Sequence, residues 1–267
     1  MIKILRADLS RLWKTKAVWI CAAGAFVVNF INIVSQNISG GFYGGFVITI
    51  FISAVFTALF LGTDYSDGTI RNKLSVGASR AQVYFANLLA SAAGAFVIAG
   101  AAQLATALYA LVTQKSPNAF ADVDFEMSVV ICAAAVLAAC SLFTLMSMLI
   151  ANKASVIIWA VLITTGLLFL SQYLTSRLNE EKTVYGSYYD ESIGDYTEMH
   201  EYPNERYVSG AKRVLMNAAN NILPFGGILK ASSANTADIA FVPLYSLGAA
   251  AAISAAGVVV FRKKDIK

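Results

Sequence analysis

The sequence predicts an all-α membrane protein: six transmembrane helices, an N-terminal interfacial helix, and one short helix between the second and third spans. Three observations carry this prediction. The 267-residue chain is 58% hydrophobic and 13% charged, with a mean hydropathy of +0.64, well above the balance of an ordinary soluble domain. Six windows contain no Asp, Glu, Lys, Arg or His and reach the length, about 20 residues, that a hydrocarbon layer of about 30 Å requires of a helix. The alternation expected of barrel strands is missing, and unpaired backbone groups are costly in lipid, so the windows form helices.

Residues 1–16, MIKILRADLSRLWKTK, place Ile2, Leu5, Leu9, Leu12 and Trp13 at helical spacing, with Lys3, Arg6, Asp8, Ser10, Arg11 and Lys14 elsewhere around the wheel. The pattern predicts an amphipathic helix lying on the membrane surface; the alternative is a charged anchor without a mechanical role. Residues 17–63 hold the first two spans, Ala17 to Ser35 and Phe42 to Thr63. Residues 84–176 hold the next three, Tyr84 to Thr113, Met127 to Ala151 and Ala154 to Ser176, and residues 239–261 hold the sixth. The first run exceeds the apolar core of a secretory leader, which favours a retained span. Span three is longer than a crossing needs, so tilt or a protruding turn is expected. Cys21, Cys132 and Cys140 all fall inside spans and read as small packing residues, not as a disulfide framework or a metal site.

Charge orients the spans. With the N-terminus in the cytoplasm, the segments on that side hold thirteen of the twenty basic residues: Lys3, Arg6, Arg11, Lys14, Lys16, Arg71, Lys73, Arg80, Lys153, Arg262, Lys263, Lys264 and Lys267. They hold four of the sixteen acids, Asp8, Asp64, Asp67 and Asp265. Both termini, including the basic tail 262–267, are therefore expected in the cytoplasm, with the chain multi-pass in the cytoplasmic membrane.

Residues 64–80, DYSDGTIRNKLSVGASR, then form a cytoplasmic loop holding three basic and two acidic residues. Asp64 or Ser66 is expected to cap a short helix, Arg71 and Lys73 to suit its C-terminal end, Gly77 to stop it, and Ser79 to cap the next helix. The alternative is a solvated loop serving topology alone. No G-x-x-x-x-G-K-[ST] motif occurs anywhere, and SGAKR at Ser209 to Arg213 has too few glycines, so no phosphate cradle is expected in this chain.

The residues Asp64, Tyr65, Gly68, Thr69, Ile70, Arg71, Leu74, Gly77, Ser79 and Arg80, at this place between two spans, resemble the permease subunits of type-2 exporters in the ATP-binding-cassette superfamily. The family more often has Glu where this chain has Asp64. The resemblance extends to the N-terminal interfacial helix, the six spans and a re-entrant element before the last. It implies that residues 64–80 are a coupling helix seated in a groove of a separate ATPase, with Asp64, Arg71, Lys73 and Arg80 touching that soluble partner. It also implies a bacterial source, a homodimer of permeases, and two ATPase copies that bind ATP and Mg, leaving this chain without a cofactor.

No ionisable residue lies inside the predicted spans, where a proton- or ion-coupled transporter usually keeps one. The polar residues there include Asn29, Asn32, Gln36, Asn87 and Gln103. Asn29, Asn32 and Gln103 either line a pathway or bridge helices by hydrogen bonds. Ala86, Ala90 and Gly94 form a small-residue ridge, either a seam between subunits or a packing surface within one. Phe42, Phe46, Phe51, Phe56 and Phe60 read as lipid-facing or packing residues.

Residues 177–238 form an external cap with six of the twelve tyrosines and His200, the only histidine. The cap either receives cationic substrates or merely covers the outer mouth. His200 has no second histidine near it and reads as a surface residue, not a metal ligand. Val208, Ala211, Leu215, Ala218 and Ile222 mark an amphipathic helix, which Pro224, Gly226 and Gly227 break. Asn220, Asn221, Pro224, Phe225 and Gly226 are thus expected either to shape an external gate, as the resemblance implies, or simply to end a surface helix.

Taken together, these readings predict the membrane subunit of an ATP-driven exporter that moves an amphipathic or hydrophobic cargo, such as a peptide toxin or antimicrobial peptide, by alternating access. Membrane lipid, a second permease copy and the ATPase are the expected partners; nucleic acid is not. The alternatives are a non-transporting scaffold or sensor, and a membrane-embedded enzyme, for which the spans lack His, Asp and Glu.

Overall fold

A computed structural model describes residues 2–35, 38–114, 124–150, 152–186, 189–190, 195–196, 200–233 and 238–264. Gln36, Ala151, part of the tyrosine-rich cap and the tail from Asp265 lie outside these residues, as do the side chains of residues 187–200, His200 among them. In chain order the helices are α1 (Ile2–Lys14), α2 (Lys16–Ser35), α3 (Ile38–Ser66), α4 (Thr69–Ser75), α5 (Arg80–Thr113), α6 (Phe125–Leu149) and α7 (Lys153–Leu178). Four short strands follow, β1 (Thr183–Gly186), β2 (Tyr189–Asp190), β3 (Asp195–Tyr196) and β4 (His200–Pro203). The chain then forms α8 (Gly210–Ile222), α9 (Pro224–Ser232), a 3-10 turn (Ile239–Phe241) and α10 (Val242–Lys263).

Six helices among the described residues are long and apolar enough to cross a membrane: α2, α3, α5, α6, α7 and the unit Ile239–Lys263. The chain is a multi-pass, all-α membrane protein. At 34 residues α5 extends to about 50 Å, more than the bilayer core needs, so one end projects beyond it. The strands were not expected. They form two antiparallel ribbons, β1 with β4 and β2 with β3, a small addition to the helical frame.

The spans α3 and α6 are the most enclosed. On α6, Ala134, Ala135, Ala138 and Ala139 are buried, and side chains this small let neighbouring backbones approach closely. Ala86 and Ala90 of α5 are buried within the chain, and a Cβ on Gly94 would strike the Phe56 ring, so this ridge packs inside one subunit. Phe42, Phe46, Phe56 and Phe60 are likewise packing residues.

The apolar core has two parts. One surrounds Phe42, Phe46, Ile50, Phe143 and Phe225, against which Phe51 packs. The other joins Leu12, Phe56, Phe60, Ile70, Tyr84, Met148 and Phe261 and lies near the end of the bundle where α2 begins and α10 finishes. This end, called the basic end below, carries α1, α4 and the final turn of α10.

Candidate functional site

Local turn chemistry builds the segment between α3 and α5, though not as expected at its start. Helix α3 continues through Asp64 to Ser66, so neither Asp64 nor Ser66 caps α4. Gly68 holds the N-cap position with φ 66, and no side chain caps the turn. Ser66 instead donates its hydroxyl to the Thr63 carbonyl and to Asp67 Oδ1. After α4, Gly77 adopts φ 91, the left-handed conformation a glycine stop supplies at little cost. Ser79 then caps α5 as expected: its Oγ accepts from the Gln82 N–H, while its own N–H donates to Gln82 Oε1.

The charges of this segment face inward. Asp64 is fully buried and pairs with Arg11 of α1 and with Lys73 Nζ at 3.1 Å. Lys73 also reaches Asp8 at 2.7 Å and Oδ1 of Asn87 on α5 at 3.3 Å. Asp8 is 2% exposed. The Arg11 guanidinium lies 4.2 Å from the centre of the Phe60 ring, a cation–π contact. Two acids and two bases from α1, α3 and α4 thus form a charge-balanced cluster against α5. Burial lowers the pKa of Lys73, which the hydrogen bond and charge of Asp8 oppose and Arg11 reinforces. Burial lowers that of Arg11 also, against Asp8 and Asp67.

These contacts correct the expectation that Asp64 and Lys73 reach outward to a soluble partner: both charges are largely desolvated, and each finds its opposite inside the chain. Arg80 is half-buried and donates to the Phe261 and Lys264 carbonyls at the end of α10. Tyr65 donates to the Met148 carbonyl at 2.6 Å. Ile70 is 1% exposed and belongs to the apolar core, against which half-buried Leu74 packs; both hold α4 down. Thr69 and Gly68 are half-buried.

Outward, α4 presents Arg71 and Asn72, and Val76 follows at 89% exposure on the turn that Gly77 closes. Arg71 is the one base of the segment with neither an ion pair nor a side-chain hydrogen bond among the described residues. Beside it lies a groove of about 890 Å³ between α1 and α4, with Ile2, Ile4, Ala7, Val76 and Ala78 on its walls and Lys3 at its edge. The groove and the tip at Val76 form one continuous surface.

Helix α1 packs along α5, so it is joined to the bundle and does not merely rest on a surface. Leu12 is buried, Leu9 packs against the core and Leu5 is half-buried. Trp13 is exposed and lies 5.8 Å from the Trp19 ring, whose indole N–H donates to the Trp13 carbonyl. The residue the sequence reading missed is Asp8. It sits in the stripe Leu5, Asp8, Leu9, Leu12, on the buried face, and its place there was visible in the spacing.

Asn29, Asn32 and Gln103 bridge backbone between helices. Asn29 Nδ2 donates to the Ala102 carbonyl at 2.7 Å and to Thr106 Oγ1 at 3.1 Å. Gln103 donates to the Phe42 carbonyl, and Asn32 reaches the Gly40 carbonyl at 3.5 Å. At the same end, Pro224 is the first residue of α9 and Phe225 is fully buried, 5.8 Å from the Phe51 ring. Asn220 and Asn221 are buried, and Asn220 Nδ2 donates to Thr175 Oγ1. A Cβ on Gly226 would collide with the Asn220 carbonyl, so this tight corner demands glycine.

Helix α8 turns apolar side chains of its marked stripe outward. Leu215 is 71% exposed and Ile222 is exposed, whereas Asn220 and Asn221 turn inward and Arg213 donates to the Leu178 carbonyl. In α9, Lys230 is 3% exposed and donates to Asn217 Oδ1 at 3.1 Å. Burial lowers its pKa, with Asp238 opposing. Among the described residues three charged groups are buried, all outside the predicted spans: Asp8 in α1, Asp64 in the last turn of α3 and Lys230 in the break before the last span.

Comparison with protein-family models and with curated proteins returns no match for this chain. The six apolar helices define its class, a multi-pass membrane protein whose architecture is compatible with a transporter component.

Proposed function

We propose that the chain is the permease subunit of an ATP-driven exporter and that α4 is its coupling helix. The observation that carries the reading is the divided character of α4. Lys73 and Ile70 anchor it to the bundle, while Arg71, Asn72 and Val76 face outward beside the α1 groove. An exposed valine on a glycine-closed turn, flanked by bases, suits an apolar and acidic docking surface on a soluble protein. The basic end is then the cytoplasmic one, and the enclosing partner is an ATPase that binds ATP and Mg. Two permeases and two ATPases complete the complex, and the cargo is amphipathic or hydrophobic, a peptide being favoured. Nucleotide acts by favouring one permease conformation through differential contacts.

Gentle extraction of the full chain from its native membrane, followed by affinity capture, tests this. The expected result is a stoichiometric ATPase that is lost, at least tenfold, in the double variant Arg71→Glu and Val76→Asp, with membrane insertion unchanged. Capture of the wild-type chain without an ATPase, or an undiminished yield with the variant, would overturn the proposal.

A further inference from the structure

A second polar assembly joins the two flanks of α4 to the final turns of α6 and α10. The last carbonyls of an α-helix lack partners within the helix, and cations are favoured there. The Met148 carbonyl, in the last turn of α6, accepts from Tyr65 Oη at 2.6 Å and from Lys264 Nζ at 2.9 Å. Lys264 Nζ also donates to Tyr65 Oη at 3.0 Å and stands 4.2 Å from the centre of its ring. On the other flank, Arg80 donates one guanidinium nitrogen to both the Phe261 and Lys264 carbonyls, closing the end of α10. Asn87 connects the two assemblies: its Oδ1 accepts from Lys73, and its Nδ2 lies 4.0 Å from Met148 Sδ.

Each end of the α3–α4–α5 hairpin is thus bonded to a different distant helix. Tyr65 precedes α4 and holds α6, while Arg80 follows α4 and holds α10. Lys264 belongs to both sets, because its side chain serves α6 and its carbonyl serves Arg80. A displacement of the segment from Tyr65 to Arg80 as one body, α4 included, cannot leave both sets intact unless α6 and α10 move with it.

We infer that Tyr65, Arg80 and Lys264 are positioning residues that convert a displacement of α4 into a joint movement of α6 and α10, with the Met148 carbonyl as their shared anchor. The inference rests on the coupling role proposed for α4. It adds a transmission route that ends at the last turn of the chain's final span, remote in sequence from the docking surface.

Distance measurement from a spin label at Phe169→Cys on α7 to one at Leu149→Cys on α6, and in a second sample to one at Arg262→Cys on α10, tests it, in the full chain with its captured ATPase and with Cys21 replaced by alanine. All three label sites are exposed, and Cys132 and Cys140 are buried. Magnesium and ATP are expected to shift both wild-type distances. Lys264→Met is expected to abolish the shift while ATPase capture stays within twofold of wild type, and Lys264→Arg to restore it, since a guanidinium also donates to two acceptors. Tyr65→Phe, which keeps the ring and removes one donor, is expected to reduce it. An unaltered shift in Lys264→Met, with the ATPase bound, overturns this inference alone. A wild-type chain that captures no ATPase overturns the coupling role and this inference with it.

Discussion

At the basic end of the bundle, α1, α3 and α4 are joined by full charges: Asp8, Arg11, Asp64 and Lys73, two of each sign. At the opposite end, helices are joined mainly by amides, with Asn29, Gln103 and Asn220 donating to carbonyl or hydroxyl oxygens, and Lys230 donating to the Asn217 amide. The two solutions differ physically. A buried charge acts over a longer range and tolerates reorientation as long as the balance of signs is kept, but removing one partner strands the others. An amide bond is short and directional, so it fixes a geometry, and its loss is felt by one neighbour. The basic end is therefore built to behave as a unit, and the opposite end to hold shape contact by contact.

The largest expected effect breaks the basic end. Asp64→Asn leaves two bases against one acid and should cost about 3–5 kcal/mol. Thermal unfolding of the detergent-solubilised protein measures it. The double variant Asp64→Asn with Lys73→Met, which restores the balance with Asp8 and Arg11, should lose less than Asp64→Asn alone; equal losses would show that the cluster does not act as a unit.

A smaller effect sharpens the comparison at the other end. Asn220→Leu removes the donor to Thr175 and should cost about 1–3 kcal/mol, read by the same unfolding assay. The lower part of that range is expected, because Asn220 Oδ1 already lacks a partner among the described residues. A loss exceeding that of Asp64→Asn would reverse the comparison.

The smallest effect is alkaline. Burial holds the folded pKa of Lys73 below its ordinary 10.5, so the unfolded chain binds this proton more tightly than the folded chain. The stability linked to this group is fully present above 10.5 and is lost as pH falls through the lowered folded value. Titrating upward toward 10.5 should therefore raise the unfolding temperature of the wild-type chain relative to Lys73→Met, and a constant difference between the two would contradict the assignment.

The spans were legible because a long uncharged run needs no tertiary context to declare itself. So were the Gly77 stop and the Ser79 cap, which depend on residues three apart. The Asp8–Lys73 bond was not, since it joins positions 65 residues apart and leaves no local trace. Asp64 was misread for a related reason: its helical spacing was clear, but it was assigned to a cap because α3 was expected to end at Thr63. The facing of α8 was lost for a different reason. An amphipathic pattern identifies two faces without saying which one looks inward, and beside lipid the apolar face has no need to be covered by protein.

Helix α4 has only seven residues, and two unlike demands are interleaved within it and the turn that follows. Positions 70 and 73 answer to the bundle, whereas positions 71, 72 and 76 have side chains committed to no other part of the described chain. Mutational drift at the latter three can therefore alter which soluble protein is recognised without disturbing the membrane domain. A change of allegiance can evolve within a single helical turn, provided that the lysine between the variable sites is inherited unchanged.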